Sequence, residues 1–131
     1  MAVKELEIIL TRQLADSLSI PIFITDTDGT LLFFNEPAEK ILGKKYTETG
    51  ALSTEEWSSL FEPQDQNGKR IARIDLPLVK TLTYCQPAQK EFWIKNLLDE
   101  RYYISVTSFP LIGRSKRFVG AMAIFWEKAS P

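Results

Sequence analysis

The residues of this chain whose types and spacing could do chemistry are Asp26 and Asp28, in the run Ile22-Phe-Ile-Thr-Asp-Thr-Asp-Gly-Thr30. Two carboxylates this close behind an apolar strand could serve phosphoryl transfer at a bound Mg²⁺, provided further carboxylates hold the metal and a lysine balances the phosphoryl oxygens. The remaining acids include no Asp-Asp pair and no Gly-Asp-x-x-x-Asp. The same run also has a structural use. Runs rich in β-branched and aromatic residues flank it, and Asp28-Gly29 supplies the positive φ of a tight hairpin turn, which makes Asp26, Asp28 and Gly29 turn devices. The lone Cys85 cannot close an internal disulfide or build a cysteine-rich metal site. Histidine is absent, which removes His triads, most zinc sites and His-ligated haem together. No catalytic constellation and no metal site is expected.

The elements around this run follow from local pattern. Pro21 to Asn35 reads as strand, turn, strand; Asn35 then stands as an N-cap, Pro37 sits in the first turn, Ala38, Ile41 and Leu42 form one stripe, and Gly43 ends a short helix. Ahead of it, residues 3 to 18 space Val3, Leu6, Ile9, Leu10, Leu14 and Leu18 by threes and fours, an amphipathic helix whose seam is interrupted by Gln13 and Ser17. This helix either caps the domain's own sheet or pairs with its copy in a second subunit. Lys44 to Gly50 reads as a polar loop. Ser53-Thr-Glu-Glu56 has the form of a capping box leading into Trp57, Leu60 and Phe61, with Pro63 ending the helix. Glu62 to Lys69, containing Asn67-Gly68, is turn-rich. Leu76 to Leu82, introduced by Asp75, is a further helix with Leu78, Val79 and Leu82 inward, closed by Cys85-Gln-Pro87. The period then changes: Glu91 to Lys95, Arg101 to Leu111 and Arg117 to Trp126 alternate as strands, separated by turns at Asn96 to Glu100 and Ile112 to Lys116. Two strands, a run of short helices and three strands make an α+β order.

Length allows one domain and one core, divided into a helix over 1–18 and a domain over 19–131. Apolar residues at 44% and charged ones at 25% are those of a globular chain, and a net charge of −1 gives no field that draws it to nucleic acid or an anionic membrane. The first residues lack the apolar core of a signal peptide, and Phe118 to Trp126 is too short to span a bilayer. A soluble protein is expected, and the single cysteine fits a reducing cytoplasm.

Two families share the surface pattern. An apolar strand ending in Asp-x-Asp-Gly-Thr resembles the first motif of haloacid-dehalogenase-type phosphatases, which implies Asp26 as nucleophile and Asp28 as acid/base. Continued through Leu31-Leu-Phe-Phe-Asn-Glu-Pro-Ala-Glu-Lys-Ile-Leu-Gly43, the same residues resemble the opening of a PAS sensor domain, hhhTDxDGxIhhhNxAAexLhG with h apolar. This match is the longer one and it continues. Arg101-Tyr-Tyr-Ile-Ser-Val-Thr-Ser-Phe-Pro-Leu111 is similar to the fourth-strand pattern rWlxVxxxPl, and Phe118-Val-Gly-Ala-Met-Ala-Ile-Phe125 to the fifth, GxhxhhxD. The departure is Glu127-Lys128-Ala129, where the family has Asp-h-Thr.

The PAS resemblance implies a five-stranded antiparallel sheet with short helices on one face and the amphipathic helix ahead of it. It implies a sensory or dimerising module, not an enzyme, within a larger signalling protein. Examples are the sensor histidine kinase of a two-component system, a cyclic-nucleotide enzyme or a transcriptional regulator. By the family's strand register, Phe23, Thr25, Phe92, Ile94, Ile104, Val106, Ser108 and Phe125 face a cavity between sheet and helices. Any ligand there is largely apolar, or the side chains fill the space. The resemblance argues against two cofactors. Haem in this family generally takes an axial His, and LOV-type flavin photoreceptors carry Asn-Cys-Arg-Phe-Leu-Gln where this chain has Ser53-Thr-Glu-Glu-Trp-Ser-Ser-Leu-Phe61. Trp93, Tyr103, Met122, Ile124 and Trp126 fall on the opposite sheet face, an apolar surface that needs a cover. The helix carrying Leu6, Leu10 and Leu14, from the same or a second subunit, is the expected cover, with a homodimer and an effector domain in the parent chain as partners.

Overall fold

The Asp26 side chain closes the first hairpin: its Oδ1 accepts from Asp28 N at 2.9 Å and Thr30 N at 3.0 Å, while Gly29 N donates to Asp26 O at 3.2 Å. Gly29, at φ 85°, alone supplies the left-handed residue of this turn. The structure, a computed structural model, describes residues 6–129; Val3, Lys4 and Glu5 of the expected first helix lie outside them.

The elements are α1 (Leu6–Ser17), β1 (Ile22–Thr25), β2 (Leu31–Phe34), α2 (Glu36–Leu42), α3 (Tyr46–Thr49), α4 (Thr54–Leu60), α5 (Pro77–Tyr84), β3 (Ala88–Lys95), β4 (Arg101–Ile112) and β5 (Phe118–Glu127), with 3₁₀ turns at Arg73–Asp75 and Arg114–Lys116. The strands form one sheet in the order β2-β1-β5-β4-β3, antiparallel at every pairing. This is the expected PAS arrangement. It overturns the phosphatase alternative, whose chemistry sits at the end of a parallel strand in a doubly wound sheet; the Asp26 carboxylate is committed to the turn.

Local chemistry sets the helices. Asn35 caps α2 by accepting from Ala38 N at 3.3 Å, and Gly43, at φ 76°, ends it. Ser53 and Glu56 form the reciprocal capping box of α4, at 3.1 and 2.9 Å. Two expectations need correction. Lys44 to Gly50 is not all loop: Tyr46–Thr49 makes one helical turn, started by Glu39 Oε2 accepting from Tyr46 N at 2.7 Å. Asp75 does not cap α5, since Leu76 takes the cap position without a side-chain bond.

Strand alternation gives the sheet two apolar faces. On one, Phe23, Phe92, Ile104, Val106 and Phe125 pack against Leu42, Trp57, Phe61 and Leu78 of the helical side. On the other, Ile22, Ile24 and Met122 pack with Phe33 and Val119 against Ile8 and Ala15 of α1. Each such large side chain contributes about 1.5–3 kcal/mol when fully buried, so both faces need their cover.

Candidate ligand cavity and outer sheet face

Between the sheet and the helices lies a cavity of about 60 Å³. From the sheet it is lined by Phe23, Phe92, Ile94, Ile104, Val106 and Phe125, with Ala123; from the other side by Leu42, Trp57, Phe61, Pro63 and the Leu76-Pro77-Leu78 start of α5. No charged residue and no hydroxyl-bearing one is in that lining. Thr25 and Ser108, expected there, are corrections. Both are fully buried outside the lining, because the helices and not the strand period decide where the space ends. Ser108 Oγ sits 2.6 Å from Thr81 Oγ1 of α5, tying strand to helix, and Thr25 Oγ1 is buried with no partner among the described residues. The helical half of the lining was not assigned from the sequence, although Leu78 stood out as an inward helix position and Trp57 and Phe61 as apolar residues after the capping box. Cys85 is exposed at the end of α5, in the left-handed conformation at φ 54°.

On the outer face, α1 lies over β1 and β5 and is held at three points along its length. Near its start, Glu7 Oε2 accepts from Arg114 N at 3.3 Å in the β4–β5 turn, and Glu7 Oε1 lies 4.0 Å from Arg117 Nη2. Hydrogen bonding to its own N–H and then to that of Arg114, with both arginine charges nearby, holds Glu7 below the ordinary carboxylate value despite desolvation. In its middle, the Arg12 guanidinium stacks 4.5 Å from the Phe33 ring centre and 5.5 Å from that of Tyr46, whose rings meet edge to face. At its end, Asn35 Nδ2 donates to Ala15 O at 3.0 Å and to Ile20 O at 2.8 Å, while its Oδ1 accepts from Ile22 N at 3.0 Å. One buried amide thus joins α1, β1 and α2.

The apolar contacts of α1 with the sheet come from Ile8 and Ala15. The stripe of Leu6, Leu10 and Leu14 does not cover its own sheet, a correction to self-capping by that stripe: these residues are 64%, 54% and 55% exposed. A helix with apolar residues on two sides can seat only one of them, and the small Ala15 allows the closer approach. Among the outer-face residues, Met122 and Ile124 belong to the cluster under α1. Tyr103 is buried, Trp93 partly so, and Trp126 is 42% exposed.

Trp93 and Tyr103 pair across β3 and β4 with ring centres 5.2 Å apart, and Arg101 caps Trp93 at 4.7 Å. Beside them Glu91 accepts from Lys128 Nζ at 2.6 Å and from the Tyr103 hydroxyl at 3.2 Å, and Lys128 N donates to Tyr103 O at 2.7 Å. The Lys128 hydrogen bond, aided by that of Tyr103, holds Glu91 below its ordinary value against desolvation; the same bond raises Lys128. Burial, then the bond to Glu91, raises the Tyr103 hydroxyl. The Glu127-Lys128-Ala129 departure therefore carries a contact of its own, fixing where the chain leaves β5.

Among the described residues no helix is long and apolar enough to cross a membrane, and no group of three or more His, Cys, Asp or Glu could hold a metal ion. A protein-family model described as a PAS domain matches residues 10–76. No curated protein matches the sequence. Among solved structures, the PAS domain of a Colwellia psychrerythraea protein is similar at TM-score 0.64 and 19% identity, covering 92% of this chain and 97% of that one. The LOV domain of a blue-light activated histidine kinase from Erythrobacter litoralis is similar at TM-score 0.67 and 15% identity over 87% and 99% of the two chains. The light-state dimer of the fungal blue-light photoreceptor Vivid is similar at 0.65 and 13%, over 83% and 78%.

Proposed function

This chain belongs to the PAS domain family, and on that premise we propose that it is the sensory module of a larger cytoplasmic signalling protein, such as a histidine kinase. In this reading it works as a homodimer that converts the state of its cavity into a shift of α1. The observation that carries the reading is the double duty of β5. Phe125 lines the cavity, while its neighbour Ile124 and Met122 form the seat of α1 on the opposite face. Strand alternation makes any displacement of Phe125 a displacement of that seat.

The lining residues do not fit a flavin or a haem. Ligand pockets for such groups run to about 300–1,000 Å³ with a few placed polar groups, against about 60 Å³ and an apolar wall here. The chain's cysteine lies outside the lining, and no histidine is available. A small, largely apolar ligand suits the space. For the output surface, the exposed Leu6, Leu10 and Leu14 form an apolar strip on a helix held mainly through polar contacts, which a second copy would cover. The PAS and LOV relatives include a dimer and a histidine kinase domain, in keeping with both parts of the reading.

Native mass spectrometry of freshly purified protein, with an organic extract run beside it, tests both parts. A dimer that carries a stoichiometric small molecule is the expected result. In Leu10→Glu/Leu14→Glu the dimer is expected to separate into folded monomers, because neither side chain supports its own core. A wild-type monomer at micromolar concentration would remove dimerisation from the reading.

A further inference from the structure

We infer that the open edge of the sheet at β3 is a docking strand for an extended acidic segment of another protein, a surface separate from the cavity and from α1. The two halves of β3 differ in what they bond. Trp93 exchanges both backbone bonds with Gln64, at 2.9 and 2.8 Å, and Lys95 N donates to Phe61 O at 3.1 Å. The backbone groups of Trp93 and Lys95 therefore point away from β4, and by the two-residue period so do those of Gln89 and Glu91. Among the described residues no backbone group takes the N–H or C=O of either. The chain that covers Trp93 leaves the edge at once: Asp65 Oδ1 accepts from Asn67 N at 2.9 Å and from Lys69 N at 3.0 Å, closing a turn before Glu91 is reached. Pro87, which has no N–H, bounds the open stretch at its other end.

Charge decides the occupant, because charged side chains are what ordinarily block an open edge. Here the two outer-face side chains are turned onto the sheet: Gln89 Nε2 donates to Ser105 Oγ at 3.0 Å, and Glu91 holds Lys128 and Tyr103. Lys90, exposed and in no ion pair among the described residues, is the unpaired charge of the open stretch. A second copy using the same backbone groups would set each Gln89 against the other copy's Glu91. The two copies of Lys90 would then stand directly opposite, in a pair whose Cα atoms lie about 4.5 Å apart, where like charges destabilise. Moving that register by two residues brings in Pro87, which cannot donate, or Trp93, which is already bonded. An acidic residue at the same place turns repulsion into attraction. The segment that fits runs antiparallel to β3, as Gln64 does, and lays three residues on the edge. Its outer two exchange four backbone bonds with Gln89 and Glu91. Its middle one carries Asp or Glu opposite Lys90, on the helical face of the sheet that Phe92 and Ile94 share.

The test is titration of the full chain, followed by ¹H–¹⁵N NMR at the Gln89 and Glu91 amides. The probes are the end-capped peptide Val-Thr-Glu-Thr-Val, its counterpart with Lys at the centre, and a form N-methylated at both threonines. The Glu peptide is expected to give saturating shifts at both amides and to slow their hydrogen exchange. The Lys peptide should bind about fivefold more weakly, the factor that about 1 kcal/mol of cross-strand charge pairing gives, and the methylated one should not bind. Lys90→Glu, confined to an exposed side chain, should reverse the order of the two charged peptides. Gln89→Pro removes an edge N–H that the sheet does not use, so the protein should stay folded and lose the peptide. Equal binding of both charged peptides by the wild type and by Lys90→Glu would overturn the acidic partner. Absence of shifts at Gln89 and Glu91 at millimolar peptide would overturn the docking strand. A wild-type dimer that Gln89→Pro separates into folded monomers would give the edge to a second copy and overturn a foreign partner.

Discussion

Replacing Asn35 by alanine removes four hydrogen bonds at one buried point, two accepted by Oδ1 from Ile22 N and Ala38 N and two donated by Nδ2 to Ala15 O and Ile20 O. The lost α2 cap costs about 1 kcal/mol and each of the other three bonds about 1 kcal/mol. Ala15 O keeps its bond from Leu18 N at 3.2 Å, so the total expected is about 3–4 kcal/mol. Urea unfolding with an unchanged m-value measures it. Amide hydrogen exchange shows where it falls: protection over residues 6–17 and 36–42 should drop further than in β4 and β5. Asn35→Asp separates the halves, since it keeps both acceptor contacts but turns a carboxylate oxygen towards two carbonyls. Only α1 should then loosen. Burial and the two facing carbonyls raise the pKa of that carboxyl above its unfolded value of about 3.9. Its stability is therefore fully present below that pH and lost as pH rises through the folded value. An alanine variant within about 1 kcal/mol of wild type, or one whose α1 protection falls no more than that of the sheet, would refute the role given to Asn35.

Three further perturbations bear on the same surfaces. Arg12→Gln should cost about 1 kcal/mol in urea unfolding through the lost stacking on Phe33 and Tyr46, with Arg12→Lys intermediate; equal stability of all three proteins would show that α1 does not depend on this contact. The Glu91 value is depressed, so the stability its pair with Lys128 contributes is present above the unfolded value of 4.5 and lost as pH falls through the folded one. Lys128→Met should flatten the acid limb of a pH titration of stability, and an unchanged limb would argue that Glu91 is uncoupled from the chain exit. Gly120→Ala should destabilise by about 3 kcal/mol or more, because φ is 158° and the new Cβ would sit 2.2 Å from Thr25 O; a thermal melt unchanged from wild type contradicts that packing.

The parts of this fold that were legible are those whose information is local. Asn35, Pro37 and Gly43 delimit α2 within nine residues, Ser53 with Glu56 starts α4, and alternation marks β3 to β5. The parts that were not legible depend on neighbours distant in sequence. A one-turn α3 exists because Glu39 reaches Tyr46 N, which periodicity cannot report. The family's strand register places Thr25 and Ser108 inward, yet whether an inward residue meets open space or a helix depends on where α5 lies. The spacing of Leu6, Leu10 and Leu14 shows an apolar face without saying what it touches, and Ile8 with Ala15 took the sheet instead. The contacts of Arg12, Glu7 and Lys128 were not legible, because a stacking ring or a backbone N–H from another element leaves no trace in spacing.

The strand order places β1 beside β5, with Ile22 opposite Ile124 and Phe125 N bonded to Pro21 O at 3.1 Å. The chain therefore comes into the sheet beside the last strand, two residues before that strand ends at Glu127. Tension applied across those two points opens the β1–β5 rungs singly, as a zipper opens, beginning at Pro21 and Phe125, instead of loading all rungs in shear. The domain hangs from the chain as a bead from a loop of thread, mechanically soft along that one direction. Its insertion or loss changes little of the distance between whatever precedes Pro21 and whatever follows Phe125.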